Sequence, residues 1–153
     1  MKEMKKCIIT VAVCCLFATV RASAYFDNIT NLWSEAQHSN VLTIANQRLA
    51  VNSNDVAGVL LKASWDFIFA DSVTLSNSMD RVLLVGATVT TPAFTNAFET
   101  TKEDVVWMNN YLRHEDPSKR TMNIQKAIRR GRMPHYIEEL KALDEDGYFT
   151  TNP

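Results

Sequence analysis

RLAVNSNDVAGVLLKASWDF, residues 48–67, reads as a joint between two helices. An apolar stripe runs in through Leu49 and Val51 and stops at the polar run Asn52-Ser53-Asn54-Asp55. A second stripe then starts at once, with Val56, Val59, Leu60, Ala63 and Phe67 recurring at helical spacing as far as Phe69. Asp55 stands where a short carboxylate accepts from the free N–H groups of a helix's first turn. The joint therefore predicts a helix on either side, and a chain built from such hairpins presents grooves between them.

Working outward, the same pattern recurs with little interruption. A helix is expected over 27–37, with Ile29, Leu32, Trp33 and Ala36 inward, then a turn at His38-Ser39-Asn40 and a second helix from Asn40 to Val51. After the joint, Asp71 or Ser72 opens a helix carrying Leu75, Met79, Val82 and Leu83 to Gly86, where a left-handed cap is expected. Thr91-Pro92 is a cap followed by a first-turn proline and predicts a short helix with Phe94, Ala97 and Phe98. Thr101-x-x-Asp104 resembles a capping box and predicts a fresh start before Val105, Met108 and Leu112. Asp116-Pro117 opens another helix, ending at Gly131, and Met133-Pro134 opens the last, with Ile137, Leu140 and Leu143. The best strand-like alternation, Thr88-Val89-Thr90, is too short to count. The expected fold is all-α, built of antiparallel helix hairpins.

A shift of 34 residues brings apolar positions into register: Val41 on Leu75, Ala45 on Met79, Leu49 on Leu83, Trp33 on Phe67, and Phe26 on Leu60 and Phe94. That is the period of the tetratricopeptide repeat, and residues 26–100 resemble that family. Leu49 and Val51 match the apolar places at the end of a repeat, while Arg48 replaces its small residue and Ser53 its proline. In the next helix the family's W-x₂-L-G-x₂-Y pattern meets Gly58, Leu61, Lys62 and Trp65, of which Leu61 matches outright and Trp65 is an aromatic substitution. The resemblance implies a stacked array whose concave side Trp65 and Phe69 would line. The alternative is a small non-repeating helical bundle with the same hairpins, and Arg48 and Lys62, placed where repeats pack tightly, favour it.

The N-terminus has the order of a secretory signal. Lys2, Lys5 and Lys6 precede the apolar run 7–20, and Ala22-Ser23-Ala24 forms a small-residue cleavage site. Residues 1–24 are thus expected to be removed, 25–143 to form one helical domain, and 144–153 to be an acidic flexible tail, unless Tyr148 and Phe149 dock it. An uncleaved anchor or a lipidated cysteine are the competing readings; Val13-Cys14-Cys15 lacks the small residue that lipidation wants just before the cysteine. Cys7, Cys14 and Cys15 leave with the signal, so the processed chain has neither disulfide nor thiol chemistry. The signal also takes four of the 16 Lys/Arg and one of the 17 Asp/Glu, leaving 12 basic and 16 acidic residues. A formal charge of −4 argues against general nucleic-acid binding. Export without cysteine fits a periplasmic or secreted bacterial protein; the sequon Asn28-Ile29-Thr30 matters only in a eukaryotic secretory pathway.

Few residues suggest catalysis. There is no H-E-x-x-H, nucleophile elbow, Walker loop or dinucleotide glycine pattern, and no cofactor is expected. His135 with Glu138 has helical spacing, and His114 is the remaining candidate for a third metal ligand. The plainer reading is a histidine and a glutamate placed by the helix dipole. Asp144-x-Asp146-Gly147 resembles part of a calcium loop but lacks its first and last acids. Charge is most uneven between Arg113 and Arg132, with seven Lys/Arg and two acids. The expected function is that of an exported, non-enzymatic protein that binds a protein or an anionic envelope polymer in a groove between hairpins. The contact candidates are Arg48, Lys62, Trp65 and Phe69, with Arg129, Arg130 and Arg132 as a rim. A metal-dependent factor using the His/Glu cluster, or a structural envelope component, are the alternatives.

Overall fold

A computed structural model describes residues 26–114 and 136–151. Among these residues all regular structure is helical. The helices are α1 (26–34), α2 (His38–Val51), α3 (Val56–Phe69), α4 (Ser72–Gly86), α5 (Pro92–His114), α6 (Ile137–Glu145) and α7 (Tyr148–Thr151). The residues of the expected cleavage site, Ala22 and Ala24, with the whole of the expected signal, lie outside the described residues.

Consecutive helices from α2 to α5 pack on one another, and α6 packs on both α5 and α3. One continuous core results. Val41 and Ala45 of α2, Leu60 and Phe67 of α3, and Met79 of α4 lie in it. Phe94 and Val105 of α5, and Leu140 and Leu143 of α6, complete it. Burying each such large apolar side chain contributes about 1.5–3 kcal/mol, so a core of this size needs no covalent staple.

The caps of α3 and α4 follow the sequence closely. Asp55 Oδ1 accepts from Gly58 N at 2.6 Å, and Asp71 Oδ1 accepts from Val73 N and Thr74 N at 2.9 Å. Elsewhere the structure corrects the expectation. α1 stops at residue 34 because Ala36 adopts φ 56°, in the left-handed region. Gln37 N reaches back to Leu32 O at 2.8 Å and Ala36 N to Trp33 O at 3.2 Å, a Schellman closure built on alanine. Ala36 is consequently exposed instead of inward, and His38 begins α2 instead of making a turn.

α5 runs unbroken through Thr101, where a new helix was expected. No glycine or proline follows Pro92 in it, and Phe94, Phe98, Val105 and Met108 stay on one buried face. A capping signature inside a continuous apolar stripe has no free helix end to cap. Gly86 is not a left-handed cap either: it ends α4 helically, and the Phe98 ring lies so close that a β-carbon there would sit 2.2 Å from it. The glycine permits close approach. α6 begins at Ile137, after Tyr136, whose φ is 50° and whose side chain is buried.

Residues 144–151, expected as a tail, carry the end of α6 and the whole of α7, with Phe149 in the core. Asp146 Oδ2 accepts from Phe94 N at 3.1 Å and so caps α5 from 52 residues away. Thr91, the expected cap, has a buried hydroxyl with no hydrogen-bond partner.

Candidate functional site

Two ends of the α2–α3 hairpin differ sharply in chemistry. At the joint, Arg48 donates to Asp55 through Nε at 2.7 Å and Nη2 at 3.0 Å, a two-point grip. Tyr148 of α7 donates its hydroxyl to Asp55 Oδ2 at 2.9 Å, and Val56 N donates to the same phenol oxygen at 3.3 Å. The Arg48 guanidinium also lies 5.4 Å from the centroid of Phe149. Burial pushes the Asp55 carboxyl up; the Arg48 hydrogen bonds and charge, Gly58 N–H and Tyr148 together outweigh it and hold the carboxyl below its ordinary value. Burial and the neighbouring Asp55 charge push the Tyr148 phenol up. Arg48, a contact candidate from sequence, thus serves to fasten the C-terminal helix to the joint.

At the other end, about 20 Å along α3, aromatic rings run in an unbroken chain. Trp33 meets His38 edge-on with centroids 4.9 Å apart. His38 lies 5.6 Å from Phe69, and Phe69 lies 4.9 Å from Trp65. The spacing explains the last contact, since residues 65 and 69 share one face of a helix. Trp33 and His38 lie on either side of the Schellman closure at Ala36, which brings the two rings together. Phe69 is 51% exposed, its neighbour Ile68 39%, and Val73, in the first turn of α4, 71%. Large apolar side chains gathered at one end of a folded chain are the usual mark of a contact surface.

Lys62 borders this face one turn before Trp65. Its ammonium is 5.4 Å from the Trp65 centroid and pairs with Asp66. Asp66 is buried and also accepts from the Ser78 hydroxyl of α4. Lys62 therefore both neutralises a buried carboxylate and steadies the Trp65 ring.

Of the other sequence candidates, Arg129, Arg130, Arg132 and His135 lie outside the described residues, as does the side chain of His114. Glu138 is exposed on α6. Among the described residues no three His, Cys, Asp or Glu side chains are grouped so as to hold a metal ion, and no helix is long and apolar enough to cross a membrane. Asp146, one of the acids of the calcium-like stretch, is committed to the α5 cap. A shallow cleft of about 420 Å³ opens between α4 and α5 over Gly86, Val89, Phe98 and Lys102.

Nothing local in the sequence marks His38 and Trp33 as members of the aromatic face. The signal for Trp65 and Phe69 is local, whereas the link from Trp33 to Phe69 needs α1, α2 and α3 to be placed in space. Comparison with family models, curated proteins and solved structures finds no match, so the reading of this site rests on its own geometry.

Proposed function

We propose that this protein is an exported, non-enzymatic helical protein that binds a partner protein through the face of Trp65 and Phe69 at the free end of the α2–α3 hairpin. The observation that carries the reading is the ring chain Trp33–His38–Phe69–Trp65, partly exposed along its length, with Phe69 within it 51% exposed. Rigid aromatic groups give large contact area for little lost freedom, which is why they dominate binding hot spots. Export is supported by the order of basic, apolar and small residues across positions 1–24.

The contact set narrows from the sequence candidates. Lys62, Trp65 and Phe69 stay, joined by Trp33 and His38. Arg48 is committed to Asp55 at the opposite end. Packing of α6 on both α5 and α3 supports the bundle form over an open tetratricopeptide-like array.

The test is affinity capture from the exported fraction of the producing cell, with wild-type protein and Trp65→Ala and Phe69→Ala variants whose helical circular dichroism and melting match the wild type. A partner recovered by the wild type and lost from both variants is the expected result. Identical recovery of every protein by all three would eliminate this face as the contact.

A further inference from the structure

The geometry points to a cationic amphipathic protein segment as the partner of the Trp65–Phe69 face, an inference that rests on the binding role proposed above for that face. Its apolar half is set by Ile68, Phe69 and Val73, which leave substantial apolar surface to water. An occupant must bring apolar side chains of its own at a spacing that meets one helix end and the start of the next.

Its polar half follows from charge. Four helix ends meet here: α1 and α3 finish, α2 and α4 begin. Their dipoles point in opposite senses and largely offset one another, so formal charge on side chains decides. Lys62 contributes no net attraction for anions, because Asp66 neutralises it. α3 has no basic residue in its last turn. Two exposed carboxylates remain: Glu35, just past α1, and Asp71, in the joint between α3 and α4. Neither has an ion-pair partner among the described residues. The rings are therefore flanked by two exposed carboxylates that have no cationic side-chain partner among the described residues, Asp71 being bonded to the first N–H groups of α4 and Glu35 to the Gln37 side-chain amide.

That arrangement selects among occupants. A second copy meeting this face with its own equivalent would bring carboxylate against carboxylate, and an anionic lipid surface or envelope polymer would meet the same repulsion. A segment that carries Lys or Arg beside its apolar stripe gains at both charges. Exposed charge pairs change affinity only modestly, so two of them set preference while the aromatic rings supply the bulk of the binding.

Two fluorescein-labelled 18-residue helical peptides test the inference. They share one Leu/Phe stripe and carry either Lys or Glu at the remaining outer positions. Fluorescence anisotropy follows their binding to the wild type, Glu35→Lys and Phe69→Ser, all processed at Ala24. The expected result is that the Lys peptide binds wild type about fivefold more tightly than the Glu peptide. That preference should shrink in high salt and in Glu35→Lys, and both peptides should be lost from Phe69→Ser. Equal affinity of the two peptides, or a preference for Glu, with both lost from Phe69→Ser, overturns the charge assignment and leaves the contact face standing. Binding of neither peptide, or binding that Phe69→Ser does not alter, overturns the face as well.

Discussion

The Tyr148 hydroxyl donates to Asp55 Oδ2 at 2.9 Å across 93 residues of chain. Through that contact the C-terminal helix α7 closes over the joint between α2 and α3, where Arg48 already holds the same carboxylate. Asp55 thus caps a helix, balances an arginine and receives the end of the chain.

Removing that carboxylate should cost more than a cap is worth. Asp55→Ala takes away the α3 cap, about 1 kcal/mol, and removes the carboxylate that pairs with the largely buried Arg48, so a total loss of about 3–5 kcal/mol is expected. Tyr148→Phe removes the hydroxyl that donates to Asp55 and accepts from Val56 N and should cost about 1–3 kcal/mol. Urea unfolding of both variants and the double variant checks this. In Asp55→Ala the further Tyr148→Phe change should cost less than it does in the wild type, because only the bond from Val56 N remains to be lost, and full additivity would show that the two groups do not interact.

Two carboxylates should pull the pH profile in opposite directions. Asp55 is held below its ordinary value in the folded chain. Its stabilisation is complete above the ordinary carboxylate range and disappears as pH falls through the lowered value. Asp144 is raised, by burial first and then by Asp27 and Glu145. Its contribution is greatest below the unfolded value and is lost as pH rises through the folded one. Asp144→Asn should therefore raise the melting temperature at pH 7 and change it little at pH 3. A variant that melts lower at pH 7 would contradict the assignment.

Gly86→Ala should destabilise the fold although alanine is the better helix former. The propensity gain is about 1 kcal/mol, but the new β-carbon would lie 2.2 Å from the Phe98 ring. That ring belongs to a well-packed core and can shift only at a cost of about 1–3 kcal/mol. The net effect is expected to be a loss, partly recovered in Gly86→Ala with Phe98→Leu. Thermal melts of the single and double variants decide it.

Ala36→Gly should do the reverse. An alanine with φ 56° carries a left-handed penalty of about 1–2 kcal/mol that glycine does not. The greater freedom of glycine in the unfolded chain returns part of this, about 0.4–1 kcal/mol. A modest rise in stability is expected by chemical denaturation, with Trp33 fluorescence unchanged because the turn between α1 and α2 keeps its course.

Local signals were legible wherever a helix end and its cap lie within a few residues of each other. Asp55 and Asp71 cap the helices that their positions suggested, and Val56, Val59, Leu60, Ala63 and Phe67 of α3 and Leu75, Met79 and Val82 of α4 are buried as helical spacing expects, although Leu83 is only partly buried and α3 buries Leu61 and Asp66 as well. The failures share one cause: each involves an interaction partner distant in sequence, or a backbone state that the residue type disguises. Thr91 loses the α5 cap to Asp146. Gly86 is required by Phe98. Ala36 takes a left-handed conformation without the glycine that would announce it. Trp65 and Phe69 were chosen from one helix, whereas Trp33 and His38 join them only through the turn at Ala36.

The amino-acid order by itself determined that the described residues are helical, where α3 and α4 begin, and most of the apolar stripe that each buries, because hydrophobic spacing and short-range capping act within one or two turns. Which charges are spent internally, which rings meet, and which face is left to water were decided only by tertiary structure. Arg48 and Lys62 look equally available in the sequence. Packing assigns one to the closure of the C-terminal helix and the other to a buried carboxylate beside an exposed aromatic face, because a charge drawn out of water must find its opposite wherever the fold has placed it.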